Sequence, residues 1–122
     1  MASYRELIAW QKGMQLVTDV YAVTRLFPRE EVYGLTSQIR RAAVSVPSNV
    51  AEGHGRATNR DRQYFITAAR GSVLELQTQI EIARNLGYLE ESSSAKLLQS
   101  ADEVGRIING LLRSLKTKDD RS

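Results

Sequence analysis

Histidine, serine and carboxylate side chains are the groups in this sequence that could perform chemistry, and their spacing assembles no catalytic set. His54 is the single histidine, and it lies between Gly53 and Gly55. Without a second histidine there is no metal-binding pair, and the Glu-x-x-His pairs of di-metal helical bundles are absent. We therefore expect His54 to be an exposed turn residue without a catalytic role.

The remaining candidates for chemistry are equally isolated. Ser45 and Ser48 have no base in their sequence context, and Glu75 and Glu81 have no matching inward carboxylate on another predicted helix. The segment GHGR lacks the Lys-Ser/Thr of a phosphate-binding loop and follows a predicted helix, not a strand. The sequence therefore predicts a protein that is not an enzyme and needs no cofactor or metal.

Basic residues are the stronger signal, because they are unevenly placed. Thirteen of the seventeen basic residues are arginine, whose planar fork suits phosphate and carboxylate. Between residues 34 and 70, six arginines oppose only Glu52 and Asp61, which gives a local balance of +4 within a net charge of +3. The six candidates for nucleic-acid binding are Arg40, Arg41, Arg56, Arg60, Arg62 and Arg70. Arg40, on the flank of the second helix, is the weaker candidate because an ion pair could hold it instead. For the cluster as a whole, the alternative to a polyanion site is a solvated basic surface.

The first element that must position these residues is a helix over residues 5–26, ended by Pro28. Its apolar residues form two stripes roughly 150° apart, whereas a helix of a small monomeric bundle needs one. One stripe is Leu7, Trp10, Met14, Val17, Tyr21 and Thr24, and the other is Ala9, Gly13, Leu16, Val20, Val23 and Phe27. The second apolar stripe therefore predicts that the protein forms an oligomer.

The second helix is predicted over residues 35–53, with Pro47 inside it. A proline there either breaks the helix after Val46 or bends it, and we favour the bend because Val50 stays in phase. The inward face is Leu35, Ile39, Ala42, Ala43, Val46 and Val50, and the outward face is Ser37, Arg41, Ser45 and Ser48. Gly53 and Gly55 are expected to end the helix in left-handed conformation.

Two further helices complete the pattern. The third is capped by Thr58 or Asn59 and runs to residue 86, and the fourth begins within residues 90–94. The third has as its inward face Phe65 or Ile66, Ala69, Val73, Leu76, Ile80 and Ala83, with Tyr64, Leu74 and Ile82 off that face. The fourth has one stripe, made of Leu97, Ala101, Val104, Ile108, Leu111 and Leu115.

Length and composition set the class of protein. The 122 residues suffice for one domain, which we place at 1–116, with a frayed tail at 117–122. There is no cysteine, charges interrupt the N-terminal segment, and no apolar run approaches the ~18 residues of a membrane span. We expect a cytoplasmic protein without membrane contact. Its fold is predicted as all-α, an antiparallel up-down-up-down four-helix bundle whose second helix is kinked at Pro47.

Four segments resemble a known family. WQKGMQLV, GLTSQIRRAAVSVPSNVAEGHGR, GSVLELQTQIEIARNLGYL and GLLRSLK occur in the order and spacing of the bacterial four-helix-bundle family, also called the 23S rRNA intervening-sequence protein family. The residues here that match its central motif are Arg40, Arg41, Pro47, Asn49, Glu52, Gly53, Gly55 and Arg56. The family pattern includes no catalytic residues.

The resemblance also implies an assembly and partners. It implies a ring-shaped homopentamer of four-helix protomers, in a family named after insertions in large-subunit ribosomal RNA genes. A related branch is the accessory variability protein of diversity-generating retroelements, which works with a reverse transcriptase and nucleic acid. A reverse transcriptase is therefore an implied partner protein, beside RNA or DNA.

Two functions follow from these observations. The first is a non-enzymatic, homo-oligomeric module that binds RNA or DNA. The alternative is a protein-binding scaffold without a nucleic-acid role, in which the arginines pair across subunits with Glu52, Glu75 and Glu81. A neighbouring gene for a reverse transcriptase, or a location inside an rRNA gene, would show to which branch of the family this protein belongs.

Overall fold

Four α-helices and two short 3-10 turns make up the structure, a computed structural model that describes residues 3–121 and the side chains of residues 3–118. In chain order the elements are a 3-10 turn at Tyr4–Glu6, α1 at Ile8–Thr24, a 3-10 turn at Arg29–Glu31, α2 at Leu35–His54, α3 at Asn59–Asn85 and α4 at Glu91–Arg121. The ends of the predicted domain and tail, residues 1, 2 and 122, lie outside the described residues. Helical backbone continues to Arg121, and the fraying of 117–122 stays a prediction.

The helices pack in a closed square. Helix α1 contacts α2 and α4, and α3 contacts the same two helices. The connections are short, so consecutive helices run antiparallel. The described residues contain no strand. The protein is therefore an all-α, up-down-up-down four-helix bundle, as predicted.

The structure decides which stripe of α1 faces the core. Ala9, Gly13, Leu16 and Val20 are buried, so the core takes the second predicted stripe. In the other stripe only Thr24 is buried, and its hydroxyl donates to the Val20 carbonyl at 2.8 Å. The helix begins three residues later than predicted because the preceding residues form the 3-10 turn Tyr4–Glu6.

Helix α2 continues unbroken through Pro47, which confirms one helix here. Pro47 is buried against α1 at Gly13, where an added Cβ would lie 3.3 Å from the Pro47 Cβ. Glycine at position 13 thus leaves room for the proline ring, and this packing offsets part of the lost backbone hydrogen bond. The bend at Pro47 stays a prediction.

The glycines at the end of α2 serve a different purpose from the one predicted. Gly55 has φ −82°, and Gly87 is the one described residue with positive φ. The prediction that a left-handed glycine ends α2 is therefore wrong. At Gly53 an added Cβ would lie 3.0 Å from Ile66 Cδ1 and 3.2 Å from Phe65 Cβ. This glycine allows α2 and α3 to approach closely where the chain turns between them.

A pair of alanine substitutions tests that role. Gly53→Ala should lower the free energy of unfolding by about 1 kcal/mol, because crowding of roughly 1–3 kcal/mol exceeds the gain in helix propensity. Gly71→Ala on α3 is the matched control, since nothing lies within 4 Å of its added Cβ. It should raise stability by about 0.5–1 kcal/mol. Urea unfolding measures both, and two changes of equal sign would contradict the close approach.

Helix α3 begins and ends as the sequence predicts. Thr58 Oγ1 accepts from the Asp61 amide at 3.1 Å, which identifies Thr58 as the cap. At the other end Gly87 has φ 81°, and the Tyr88 amide donates to the Ala83 carbonyl at 2.9 Å. This left-handed glycine closes the helix and turns the chain toward α4.

The stripe on α4 shifts near its end. Leu97, Ala101, Val104 and Ile108 are buried as predicted, but the next buried residue is Leu112. Leu111 and Leu115 are half-buried and line a pocket at the end of the bundle. An α-helix has about 3.6 residues per turn, so along a 31-residue helix the buried face drifts away from positions spaced strictly three and four apart. This drift explains the shift.

Helix α2 receives its N-terminal cap from Glu31. The Glu31 carboxylate accepts from the Leu35 amide at 3.1 Å and from the Tyr88 hydroxyl at 2.9 Å. The two hydrogen bonds, the amide first, lower the pKa of Glu31 below its usual 4.5, and the bond to Glu31 raises the pKa of Tyr88. The carboxylate therefore joins the start of α2 to the turn after α3.

This cap predicts a pH dependence. Because the pKa of Glu31 is lowered in the folded state, its stabilisation is present above 4.5 and is lost as pH falls through the folded pKa. Glu31→Gln should flatten the loss of thermal stability between about pH 5 and about pH 3. Glu30→Gln, one residue away, is the control and should keep the wild-type profile. Identical acid limbs for the wild type and Glu31→Gln would contradict this role.

Candidate functional site

The predicted arginine cluster is divided among several surfaces. Arg40 lies between α2 and α1, where its Nε donates to Thr24 Oγ1 at 2.9 Å. Its guanidinium also lies 4.4 Å from the centre of the Tyr21 ring. Arg40 is thus held within the chain by a hydroxyl and an aromatic face, and it forms no ion pair with a described residue.

Arg56, just after α2, is also engaged. It forms an ion pair with Glu52, one turn earlier, and its guanidinium lies 4.5 Å from the centre of the Phe65 ring. An exposed pair of this kind contributes little to stability. Together the two contacts nevertheless fix the side chain over α3, so Arg56 offers a ligand fewer free donors than the sequence indicates.

Three other arginines are exposed and available. Arg41 lies on α2, and Arg60 and Arg70 lie about 15 Å apart along α3. None of the three forms an ion pair with any residue that the structure describes. They are the exposed cations of this region that form no ion pair with a described residue.

The sixth candidate, Arg62, faces the end of the bundle. A pocket of about 140 Å³ there is lined by Leu7, Gly53, His54, Arg62, Ile66, Leu111, Ser114, Leu115 and Lys118. His54 is the last residue of α2 and is half-buried, so its expected place in an exposed turn is wrong. The reason is that α2 does not end at the first glycine but continues one residue beyond it.

Two of the three acidic residues predicted to make contacts between subunits instead pair with an arginine close by in their own chain. Glu52 pairs with Arg56, and Glu81 lies 3.6 Å from Arg84. Glu75 is exposed and forms no ion pair among the described residues. Of the three acidic partners predicted for contacts between subunits, Glu75 is therefore the one not engaged inside the chain.

The outward face predicted for α2 is only partly outward. Ser48 and Arg41 are exposed, but Ser45 is half-buried against α3 and its hydroxyl hydrogen-bonds to that of Ser72. Ser72 in turn donates to the Ala68 carbonyl at 3.1 Å. Small hydroxyl side chains thus let α2 and α3 lie close together, which helical periodicity alone does not indicate.

An apolar groove runs between α1 and α2 on the side away from the core. It has a volume of about 490 Å³ and is lined by Tyr4, Trp10, Met14, Val17, Val44, Pro47, Ser48, Ala51 and Glu52. Met14 is 43% exposed and Val44 is 40% exposed. The Tyr4 and Trp10 rings meet edge to face at 5.4 Å. The surplus stripe of α1 thus forms one wall of a surface groove, and α2 forms the other.

A second apolar surface lies on α3. Tyr64, Leu74 and Ile82 are 69%, 60% and 42% exposed, as their position off the core face predicted. Sequence reasoning found these residues and the α1 stripe, but missed the contribution of Val44. Its apolar character on the outward side of α2 was the available signal.

Other kinds of site receive no support in the part of the chain that the structure describes. No group of three or more histidine or acidic residues comes together as a metal site among residues 3–118. Within the same residues, no helix is long and apolar enough to cross a membrane.

Comparison with known proteins identifies the family. The sequence profile described as 23S rRNA-intervening sequence protein matches residues 5–110. The chain belongs to this family. The resemblance is thereby confirmed for the first three sequence segments, and the fourth, residues 110–116, lies beyond the match except for Gly110.

A solved structure shares the fold of this family member. It is the crystal structure of a protein with unknown function from the S23 ribosomal protein family of Bacteroides thetaiotaomicron VPI-5482. The two superpose with a TM-score of 0.80 at 13% sequence identity, over 86% of this chain and 98% of that chain. At this identity the likeness concerns the fold alone. No curated protein sequence matches this chain.

Proposed function

We propose that this protein is a non-enzymatic homo-oligomer, a closed ring of five subunits, that binds RNA or DNA through exposed arginines. The observation that carries the nucleic-acid role is the exposure of Arg41, Arg60 and Arg70 without an ion pair in the described part of the chain. Arginine forks suit phosphate oxygens. The family's link to ribosomal RNA genes is consistent with such a ligand.

Two separate apolar surfaces support the ring. The groove between α1 and α2 and the exposed α3 residues Tyr64, Leu74 and Ile82 belong to different parts of the protomer. When one surface of a protomer contacts a different surface of the next, the contact repeats, and it closes as a ring where the rotation between neighbouring subunits completes a full turn. Five is the number that the family resemblance implies.

Assembly into a ring raises an affinity for nucleic acid that is weak in a single protomer. A few arginines hold nucleic acid weakly at physiological salt, because each phosphate contact adds only one released counterion to the binding equilibrium. A ring repeats the same arginines around its axis, so one strand contacts several subunits at once. The affinity for a polyanion then increases steeply with the number of subunits engaged.

Fluorescence anisotropy of the wild type with labelled single-stranded RNA, single-stranded DNA and duplex DNA tests this proposal. We expect binding to every sequence tested, because phosphate contacts do not depend on the base. If six or more phosphates are contacted, the affinity should fall about 10³-fold or more for duplex DNA, and roughly 300-fold or more for a single strand, between about 50 and 200 mM salt. No binding at about 50 mM salt would refute the nucleic-acid role.

The alternative function is a protein-binding scaffold, and Glu75 is the observation that favours it. This carboxylate is exposed on α3 and lines the same groove between α2 and α3 as Arg41. It forms no ion pair among the described residues. In a ring it could pair with an arginine of the next subunit. Charge reversal separates the two functions: Glu75→Arg should dissociate a scaffold ring but leave a nucleic-acid-binding ring assembled.

A further inference from the structure

A polar groove lies between α2 and α3, away from the apolar groove. Its volume is about 450 Å³, within the range of roughly 300–1,000 Å³ found for small-molecule sites. The lining residues are Gln38, Arg41, Ala42, Ser45, Glu75 and Gln79. Ala42 and Ser45 are the small residues among them, and they leave the space between the longer side chains open.

Gln79 is the unusual member of this lining. Its side chain is only 8% exposed, yet its Oε1 is buried without a hydrogen-bond partner among the described residues. A buried acceptor left unmet is unfavourable, and most such atoms in folded proteins have a partner. Gln79 also lines the polar groove, so a ligand bound there lies beside this amide.

The charged residues of the polar groove also have no ion-pair partner among the described residues. Arg41 and Glu75 both line it, but they form no ion pair with each other or with another described residue. A purely anionic ligand is repelled by the carboxylate, and a purely cationic one by the guanidinium. The groove therefore suits a neutral, rigid ligand that presents donors and acceptors along one plane.

We propose that the polar groove binds a guanine base of single-stranded RNA, which rests on the proposed function. Guanine carries adjacent N1–H and N2–H₂ donors for the Glu75 carboxylate, and its O6 and N7 acceptors match the Arg41 fork. Gln38 and Gln79 each offer a donor and an acceptor for the rest of the edge. Where a guanine occupies the groove, Arg41 contacts the base in place of a phosphate. The phosphate contacts of Arg60, Arg70 and the other subunits then give affinity for any sequence, and the groove adds a preference for one base.

Uridine oligonucleotides with one central substitution test this inference by anisotropy. The oligonucleotide with guanosine should bind at least about fivefold tighter than those with adenosine, cytidine or uridine. Inosine, which lacks the 2-amino group, should lose most of the preference. Glu75→Gln should abolish it, because the new amide sets a donor against guanine donors. Glu81→Gln, with the same charge change on α3, should retain it.

The outcomes separate this inference from the function on which it rests. Equal binding of all four bases overturns the guanine site and leaves the nucleic-acid role intact. Dissociation of the ring by Glu75→Gln shows that the polar groove is a contact between subunits, and overturns the site. If no RNA binds, titration with guanosine monophosphate decides: an unperturbed NMR signal of the Gln79 side-chain amide overturns the site as well.

Discussion

Replacing Met14 with glutamate is expected to convert a closed oligomer of about 70 kDa into a monomer of 13.7 kDa that keeps its helical content. Met14 lines the apolar groove and is 43% exposed in the protomer, so the charge is tolerated in the isolated bundle. At a subunit contact the same carboxylate is buried without a partner, at a cost of several kcal/mol. Even about 3 kcal/mol weakens a contact roughly 100-fold.

Light scattering after size-exclusion chromatography measures the mass, and circular dichroism measures the helical content. The matched control is Leu26→Glu, which places the same charge at an apolar residue that is 85% exposed and lines no part of the groove. It should leave the assembly unchanged. A wild-type monomer at micromolar concentration refutes the ring, and dissociation by Leu26→Glu alone moves the interface away from the groove.

Helix periodicity predicted most of the fold because each helix buries one continuous face. All six inward residues named for α2 are buried, and α3 is capped at Thr58 as its sequence indicated. What periodicity could not choose was the core stripe of α1, since both stripes are apolar. That choice depends on packing between helices: Gly13 lies against Pro47, and this contact orients α1.

The candidate site was less predictable, because a local excess of charge does not show where side chains point. The six arginines are close in sequence, yet Arg40 lies on the Tyr21 ring and Arg56 on the Phe65 ring. Their partners come from other segments of the chain. The polar groove was missed for the same reason, since Arg41 and Glu75 line one groove only after α2 and α3 pack.

The last prediction concerns the three exposed arginines. Changing Arg41, Arg60 and Arg70 together to glutamine should weaken binding of every nucleic-acid sequence and flatten its salt dependence. Each lost contact removes about 0.7 from the slope of log K against log salt for a single strand, so a fully engaged trio removes about 2 per subunit. None of the three side chains lines the apolar groove, but Arg70 lies beside Leu74 of the second apolar surface, so light scattering must show that the ring stays intact. Anisotropy across a salt series measures the slope.

The control for this prediction removes three charges from another part of the chain. Arg25, Arg29 and Arg113 are exposed, and none forms an ion pair among the described residues, so their joint change to glutamine lowers the net charge equally. If binding depends on specific arginines, the first variant loses affinity and the control keeps most of it. Equal losses mean that net charge alone attracts the polyanion. If the first variant instead breaks the ring, its arginines hold subunits together and the scaffold function is correct.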